Sequence, residues 1–232
     1  MIRKLDNEKM GRSNLGWLRS VFHFSFAEYR NPNNVNFGKL RVINDDLVEP
    51  GTGFDTHPHR DMEIVSYVIK GELTHKDSMG HERTLSRGSA QYMSAGTGIL
   101  HSEYNKGNEI LRFMQIWIFP DENNLTPQYG DMTFEKEERH NKWLNIVSGI
   151  DGDAPIKIHQ DASIHVLELD KDREIEFPVL ENRQAYLVQI EGSSIINGIE
   201  FNMRDGLESV EESLNIKALE DSHFLVVELK KE

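Results

Sequence analysis

The chain has no cysteine among its 232 residues. That excludes a disulfide framework, a thiolate zinc site, an iron–sulfur cluster and a thiol nucleophile together. Basic charge is also short: 26 Lys and Arg stand against 39 Asp and Glu, a net charge of −13. A field of that sign repels phosphates, so no nucleic acid and no anionic membrane is expected as a partner. No apolar run approaches the roughly 18 residues of a membrane helix, and MIRKLDNEKMGRSN carries no apolar stretch of signal-peptide length. A soluble cytoplasmic protein is the expectation. Hydrophobic residues are few, at 38%. Yet 11 Phe, 6 Tyr and 3 Trp can fill a core, which argues against general disorder.

What the chain does have is short runs rich in β-branched and aromatic residues. They are 64–69, 111–119, 144–147, 165–169, 185–190 and 224–229, set off by Lys70-Gly71, Met79-Gly80, Arg87-Gly88, Glu191-Gly192, Asn197-Gly198 and Asp205-Gly206. Such spacing predicts an all-β chain of sandwiches or barrels. Helix is expected only as a short piece near 134–140. The length suits two domains. A polar stretch with Pro120 and Pro127 suggests a linker at 126–142, between domains at 1–125 and 143–232. The two halves read as diverged repeats: Glu63–Gly71 (EIVSYVIKG) and Gln184–Gly192 (QAYLVQIEG) lie 121 residues apart at both ends.

Five of the ten histidines fall between 57 and 101. In a strand, side chains alternate between faces, so His57 and His59 point the same way, with Asp61 and Glu63 next in line if the strand stays regular. Pro58 lacks an N–H, which predicts an edge strand or a bulge there. His101 and Glu103 likewise share a face, with Asn105 beyond them and Gly96 and Gly98 turning the chain just before. Brought together, the two segments supply three imidazoles and a carboxylate. That donor set suits one divalent first-row metal per chain, Fe(II) first among them when coordination positions stay open. His75 and His81, around the turn DSMG, are expected in solvent. His23, His140, His159, His165 and His223 read as ordinary core or surface residues. Met62, Met93, Ile99 and Phe113 are candidate pocket residues.

These segments resemble the two cupin motifs: Gly51, His57, His59, Glu63 and Gly71 match the first, and Gly98, His101 and Asn105 the second, with Gly96 where proline is usual. More narrowly, THPHRDMEIVSYVIKGELTHKDSMG, SAGTGILHSEYN, GWLRSVFHFSFAEY and QIWIFP resemble the pirin family, and especially bacterial pirin-like proteins with quercetin 2,3-dioxygenase activity. The resemblance implies a bicupin with one metal in the N-terminal barrel, held by His57, His59, His101 and Glu103. Most other cupins use the first-motif glutamate, here Glu63. It also implies O2-dependent cleavage of flavonols with release of carbon monoxide, Glu103 acting as the base that removes the 3-hydroxyl proton. The 121-residue offset puts Pro178, Leu180 and Gln184 where His57, His59 and Glu63 stand, so the C-terminal barrel is expected to lack a metal. The alternative is a regulatory pirin that binds a protein partner in a metal-dependent way without turnover, though no partner motif is visible.

Overall fold

The computed structural model describes residues 1–232. The chain is built almost wholly of antiparallel strands, with one four-residue α-helix, Lys136–Arg139, and one 3-10 turn. It divides into two compact units: Gly11–Phe134 with Ile158–Gln160, and Met1–Met10 with Glu135–Lys157 and Asp161–Glu232.

In the first unit a seven-stranded sheet runs, in spatial order, Gln128–Thr133, Ser89–Ser94, Glu63–Lys70, Leu111–Ile118, Leu40–Val48, Leu18–Phe22 and Gly11–Asn14. A four-stranded sheet runs Gly53–His59, Ile99–Tyr104, Leu73–Asp77 and Glu82–Leu85. The period-2 runs produce this arrangement because each strand can turn an apolar face inward. Leu18, Val48, Val68, Leu73, Leu85, Leu111 and Phe113 meet as one core cluster. Ile64, Met93, Ala95 and Ile99 form another, with Met62 and Trp117 against it. The stretch 126–142 is more ordered than its polarity suggests. It contains the strand Gln128–Thr133, which pairs with Ser89–Ser94, and the helix. This is an edge strand with mostly solvent-facing side chains, and polar residues there read as linker in sequence.

The second unit repeats the order. Gly206–Val210, Arg183–Glu191, Ser222–Lys230 and Ala162–Leu169 are successive neighbours in its large sheet. Ile2–Leu5 pairs with Gly206–Val210, so the first ten residues belong to this unit. The ladders give the equivalences. Ser66 pairs with Gln91 and with Gln115, and Gln115 with Asn44. In the second unit Leu187 pairs with Leu207 and with Val226, and Val226 with His165. Asn44, Ser66 and Glu63 thus correspond to His165, Leu187 and Gln184, each at the 121-residue offset read from the sequence. The fold is two cupin-type barrels, as expected.

Candidate metal centre

His57 and His59 lie on the edge strand of the four-stranded sheet, the position that Pro58 requires. The neighbouring strand faces them in register, His101 opposite His57 and Ile99 opposite His59. A bulge follows, shifting the register between His101 and Glu103. The three rings meet at centroid distances of 4.4 Å (His57–His101), 4.9 Å (His57–His59) and 4.9 Å (His59–His101). One ring nitrogen from each lies within 4.8 Å of those of the others.

The rings are prepared for ligation in three ways. His57 Nδ1 sits 2.7 Å from the Asp55 carbonyl oxygen, so Nδ1 carries the proton and Nε2 is left open. Burial, then His101 and His57, lower His59 to about 4; burial, then His57 and His75, lower His101 to about 3. Both are therefore neutral at pH 7, as a metal ligand must be. Finally, His101 is only 2% exposed and neither ring nitrogen has a hydrogen-bond partner. A buried polar atom without a partner costs free energy. A divalent ion among the three imidazoles would relieve that cost, so the residues present fit a metal.

Glu103 lies on the same strand as His101 and is buried. Its Oε1 accepts from Gln91 Nε2 at 2.7 Å and from Ser66 Oγ at 2.9 Å; its Oε2 accepts from Gln115 Nε2 at 2.7 Å. A carboxylate oxygen of Glu103 comes within 4.8 Å of ring nitrogens of His101 and His75, a second close group beside that of His57, His59 and His101. Glu103 also lines one cavity with His57 and His59.

That cavity, of about 320 Å³, is walled by Leu15, Leu18, Phe22, Phe26, Phe54 and Trp117, with Trp117 edge-on to His59 at 4.9 Å. Met62, Met93, Ile99 and Phe113 do not line it. The first three pack with Ile64 and Ala95, and Phe113 packs with Leu73 and Leu85. Of the aromatic wall, Phe22 and Phe26 come from GWLRSVFHFSFAEY and Trp117 from QIWIFP, segments that carry the resemblance in sequence but are not expected there as pocket lining.

Other sequence-selected residues have different places. Asp61 has φ +47, so the strand does not continue regularly past His59. Its carboxylate accepts from the Asn124 N–H at 2.6 Å. Glu63 accepts from Ser94 Oγ at 2.6 Å and the His159 N–H at 3.2 Å, outside both close groups. Asn105 braces a loop, donating to the Val48 and Glu109 carbonyls at 2.9 and 2.7 Å. His75 is not in solvent but fully buried, 3.0 Å from Asp77 Oδ2 and stacked on Tyr129 at 4.4 Å. The hairpin turn begins only after Asp77, so His75 still points inward, and Tyr129 arrives from a strand more than fifty residues away. His81, half exposed, stacks on the same tyrosine.

Comparison with known proteins agrees with this architecture. The Pirin family profile matches residues 5–118, and that of the quercetinase C-terminal cupin domain matches 145–229. An Escherichia coli protein named quercetin 2,3-dioxygenase is 43% identical over 225 residues, 96% of each chain. The chain belongs to the pirin family. A pirin-like protein of Caulobacter vibrioides is 40% identical over 230 residues, 98% of this chain and 99% of that one. Among solved structures, the Escherichia coli bacterial pirin YhhW in complex with nickel(II) matches this pirin with TM-score 0.93 and 40% identity over all of both chains.

Proposed function

We propose that this pirin is a metal-dependent dioxygenase that cleaves flavonols such as quercetin with O2 and releases carbon monoxide. The observation that carries the reading is the close group of three imidazoles, sharing His101 with a second group that contains the held Glu103 carboxylate, beside a cavity lined by four Phe and Trp side chains. The proposed ligands are His57, His59, His101 and Glu103, with Fe(II) the leading metal. The family membership and the names of the relatives support the reaction class. When bound, a first-row divalent metal supplies open coordination positions and redox capacity for reaction of O2 with an electron-rich ring.

The chain's own residues do the rest. Phe22, Phe26, Phe54 and Trp117 hold flat rings and exclude water, in a cavity at the small end of the roughly 300–1,000 Å³ usual for such sites. Glu103 Oε1 already accepts two hydrogen bonds, whereas Oε2 accepts one. Oε2 is therefore the oxygen with capacity to ligate, or to take the proton of a flavonol 3-hydroxyl. In the second unit Leu187, Leu207 and Val226 stand at the positions of Ser66, Gln91 and Gln115, so nothing there would hold a buried carboxylate. The proposal gives that unit no metal.

The test begins with metal analysis of untagged protein, followed by O2 uptake with quercetin before and after chelation. One metal per chain and chelator-sensitive uptake are expected. If fully metallated protein consumes no O2 with any flavonol, the regulatory reading takes its place.

A further inference from the structure

The strand Leu40–Val48 carries three successive buried polar residues, Asn44, Asp45 and Asp46. Asp45 is accounted for: Arg112 donates to it through Nη2 at 2.6 Å and Nε at 2.9 Å. Asn44 and Asp46 are accounted for only in part, since Ser20 hydrogen-bonds to the Asp46 carboxyl but one oxygen of each residue is left over. They alternate with Asp45, so they share the opposite face of the strand. Both line the cavity that His57, His59 and Glu103 enter. Asn44 is 3% and Asp46 4% exposed, and the Oδ1 atom of each is buried without a hydrogen-bond partner. Native proteins seldom leave one such acceptor unpaired, and here two lie on one wall of one cavity.

We propose that Asn44 and Asp46 form a hydroxyl-binding subsite, which makes the cavity select aromatic ligands bearing phenolic O–H groups over unsubstituted ones. This deepens the flavonol reading and rests on it for the ligand class. Two buried acceptors offer their lone pairs to O–H donors, whereas an apolar ring edge would leave them desolvated and unpaired. A site built in this way rejects the analogue that lacks the hydroxyl more strongly than an apolar pocket can. Asp46 is free of any counter-ion: burial is the main cause that raises its carboxyl to about 7, with Asp45 and Glu103 adding to the effect and Ser20 opposing it. It is thus available as acceptor or, when protonated, as donor. The fold does not require a polar group at Asp46, because the equivalent position in the second barrel is Leu167; that of Asn44 is His165.

The test uses metal-loaded protein and two probes, 7,4′-dihydroxyflavone and flavone. Neither has the 3-hydroxyl needed for cleavage nor an adjacent oxygen pair created by its hydroxyls, so calorimetry reads binding apart from turnover. Each buried hydrogen bond contributes roughly five- to ten-fold in affinity. The wild type is expected to prefer the dihydroxy compound by about tenfold or more. Asn44→Leu/Asp46→Leu should reduce that preference to within about twofold, and Asp46→Asn, which keeps size and an acceptor, should retain most of it. If the double variant does not fold, Asn44→Leu alone carries the test with a partial loss. A wild type without the preference, or with a preference that survives in the folded double or single Leu variant, overturns the proposal. Quercetin turnover without the preference leaves the dioxygenase standing and removes the subsite. The preference without O2 uptake from any flavonol does the reverse.

Discussion

Replacing His101 by leucine should make the metal-free protein more stable and the metal-loaded protein less stable than wild type. Without metal, His101 buries two ring nitrogens that have no partner. An unsatisfied buried polar atom costs roughly 1–3 kcal/mol. Leucine has a similar volume and no polar atom, and a shape change of that kind costs at most about 1.5 kcal/mol. The net gain from His101→Leu in the apo state is therefore about 1–3 kcal/mol, or very roughly 2–10 °C in Tm for a chain of this length. With metal the order reverses. At a free concentration one thousand times Kd, binding adds about 4.1 kcal/mol to the wild type, more than the apo gain of the variant, which lacks a ligand and gains little from the metal. The assay is thermal unfolding of both proteins in chelator and then across a titration of Fe(II) under anaerobic conditions or of Ni(II). The two Tm curves should cross. Parallel curves, or an apo variant that is less stable while metal still stabilises it, would refute the argument. Alanine is the wrong substitution for this purpose, because the hole it leaves costs more than the nitrogens do.

Glu103→Gln keeps size and removes the charge; metal affinity should fall, and kcat per bound metal should fall by roughly 10²-fold or more if Glu103 is the base. An unchanged rate per bound metal would make it a ligand only. Asp46→Asn should alter pH-dependent stability. In the wild type the carboxyl is raised from 3.8 to about 7 on folding, so the folded chain holds that proton more tightly and loses stability as pH rises through this window. The variant should escape that loss, gaining on wild type by at most on the order of 4 kcal/mol above pH 7; denaturant melts of metal-free protein from pH 4 to 8 read it, and a constant difference would count against the raised carboxyl. Gly96→Ala should destabilise by more than about 2 kcal/mol, since Gly96 has φ +44 and an added Cβ would stand 1.9 Å from the Leu125 carbonyl oxygen; a Tm within about 2 °C of wild type would disprove that strain.

Features governed by local rules were legible from the sequence. Alternation located the six main strand runs, and the parity of His57 and His59 put two imidazoles on one face. The bulge after His101 and the left-handed Asp61 are where regular alternation stops. The break at Asp61 separates Asp61 and Glu63 from the histidines, the bulge shifts Glu103 in register relative to His101, and no pattern of residue types announced either. His75 was misplaced for another reason: its burial depends on Tyr129, a contact between strands that sequence distance conceals. The cavity wall was missed in the same way. Phe22 and Phe26 are near each other in sequence but reach Trp117 only through the sheet; Phe26 lies edge-on to it at 5.5 Å.

The two barrels act as an internal control on what the fold itself requires. Their large sheets share strand order and pairing, yet their interiors differ in kind. Ser66, Gln91 and Gln115 converge on Glu103 in the first; Leu187, Leu207 and Val226 occupy the same ladder positions in the second and are fully buried. Asp46 likewise corresponds to Leu167, part of a continuous apolar cluster with Phe224 and Val226. Apolar residues at these four positions are therefore sufficient to build this ladder, although His165 stands where the first barrel has Asn44. The polar set in the first barrel desolvates a carboxylate, two amides and a hydroxyl, which packing alone would not favour. Within that set every hydrogen bond to Glu103 is satisfied, while His101, Asn44 and Asp46 keep unpaired atoms. The satisfied part fixes one carboxylate in place; the unsatisfied atoms belong to residues at the histidine cluster and the cavity wall. A barrel selected only for stability would lose the second group first. Its retention beside a rigidly held Glu103 fits the proposed site for a metal and a hydroxylated ring, and the sister barrel, with Leu167, Leu187, Leu207 and Val226 at the matching positions, carries no such set.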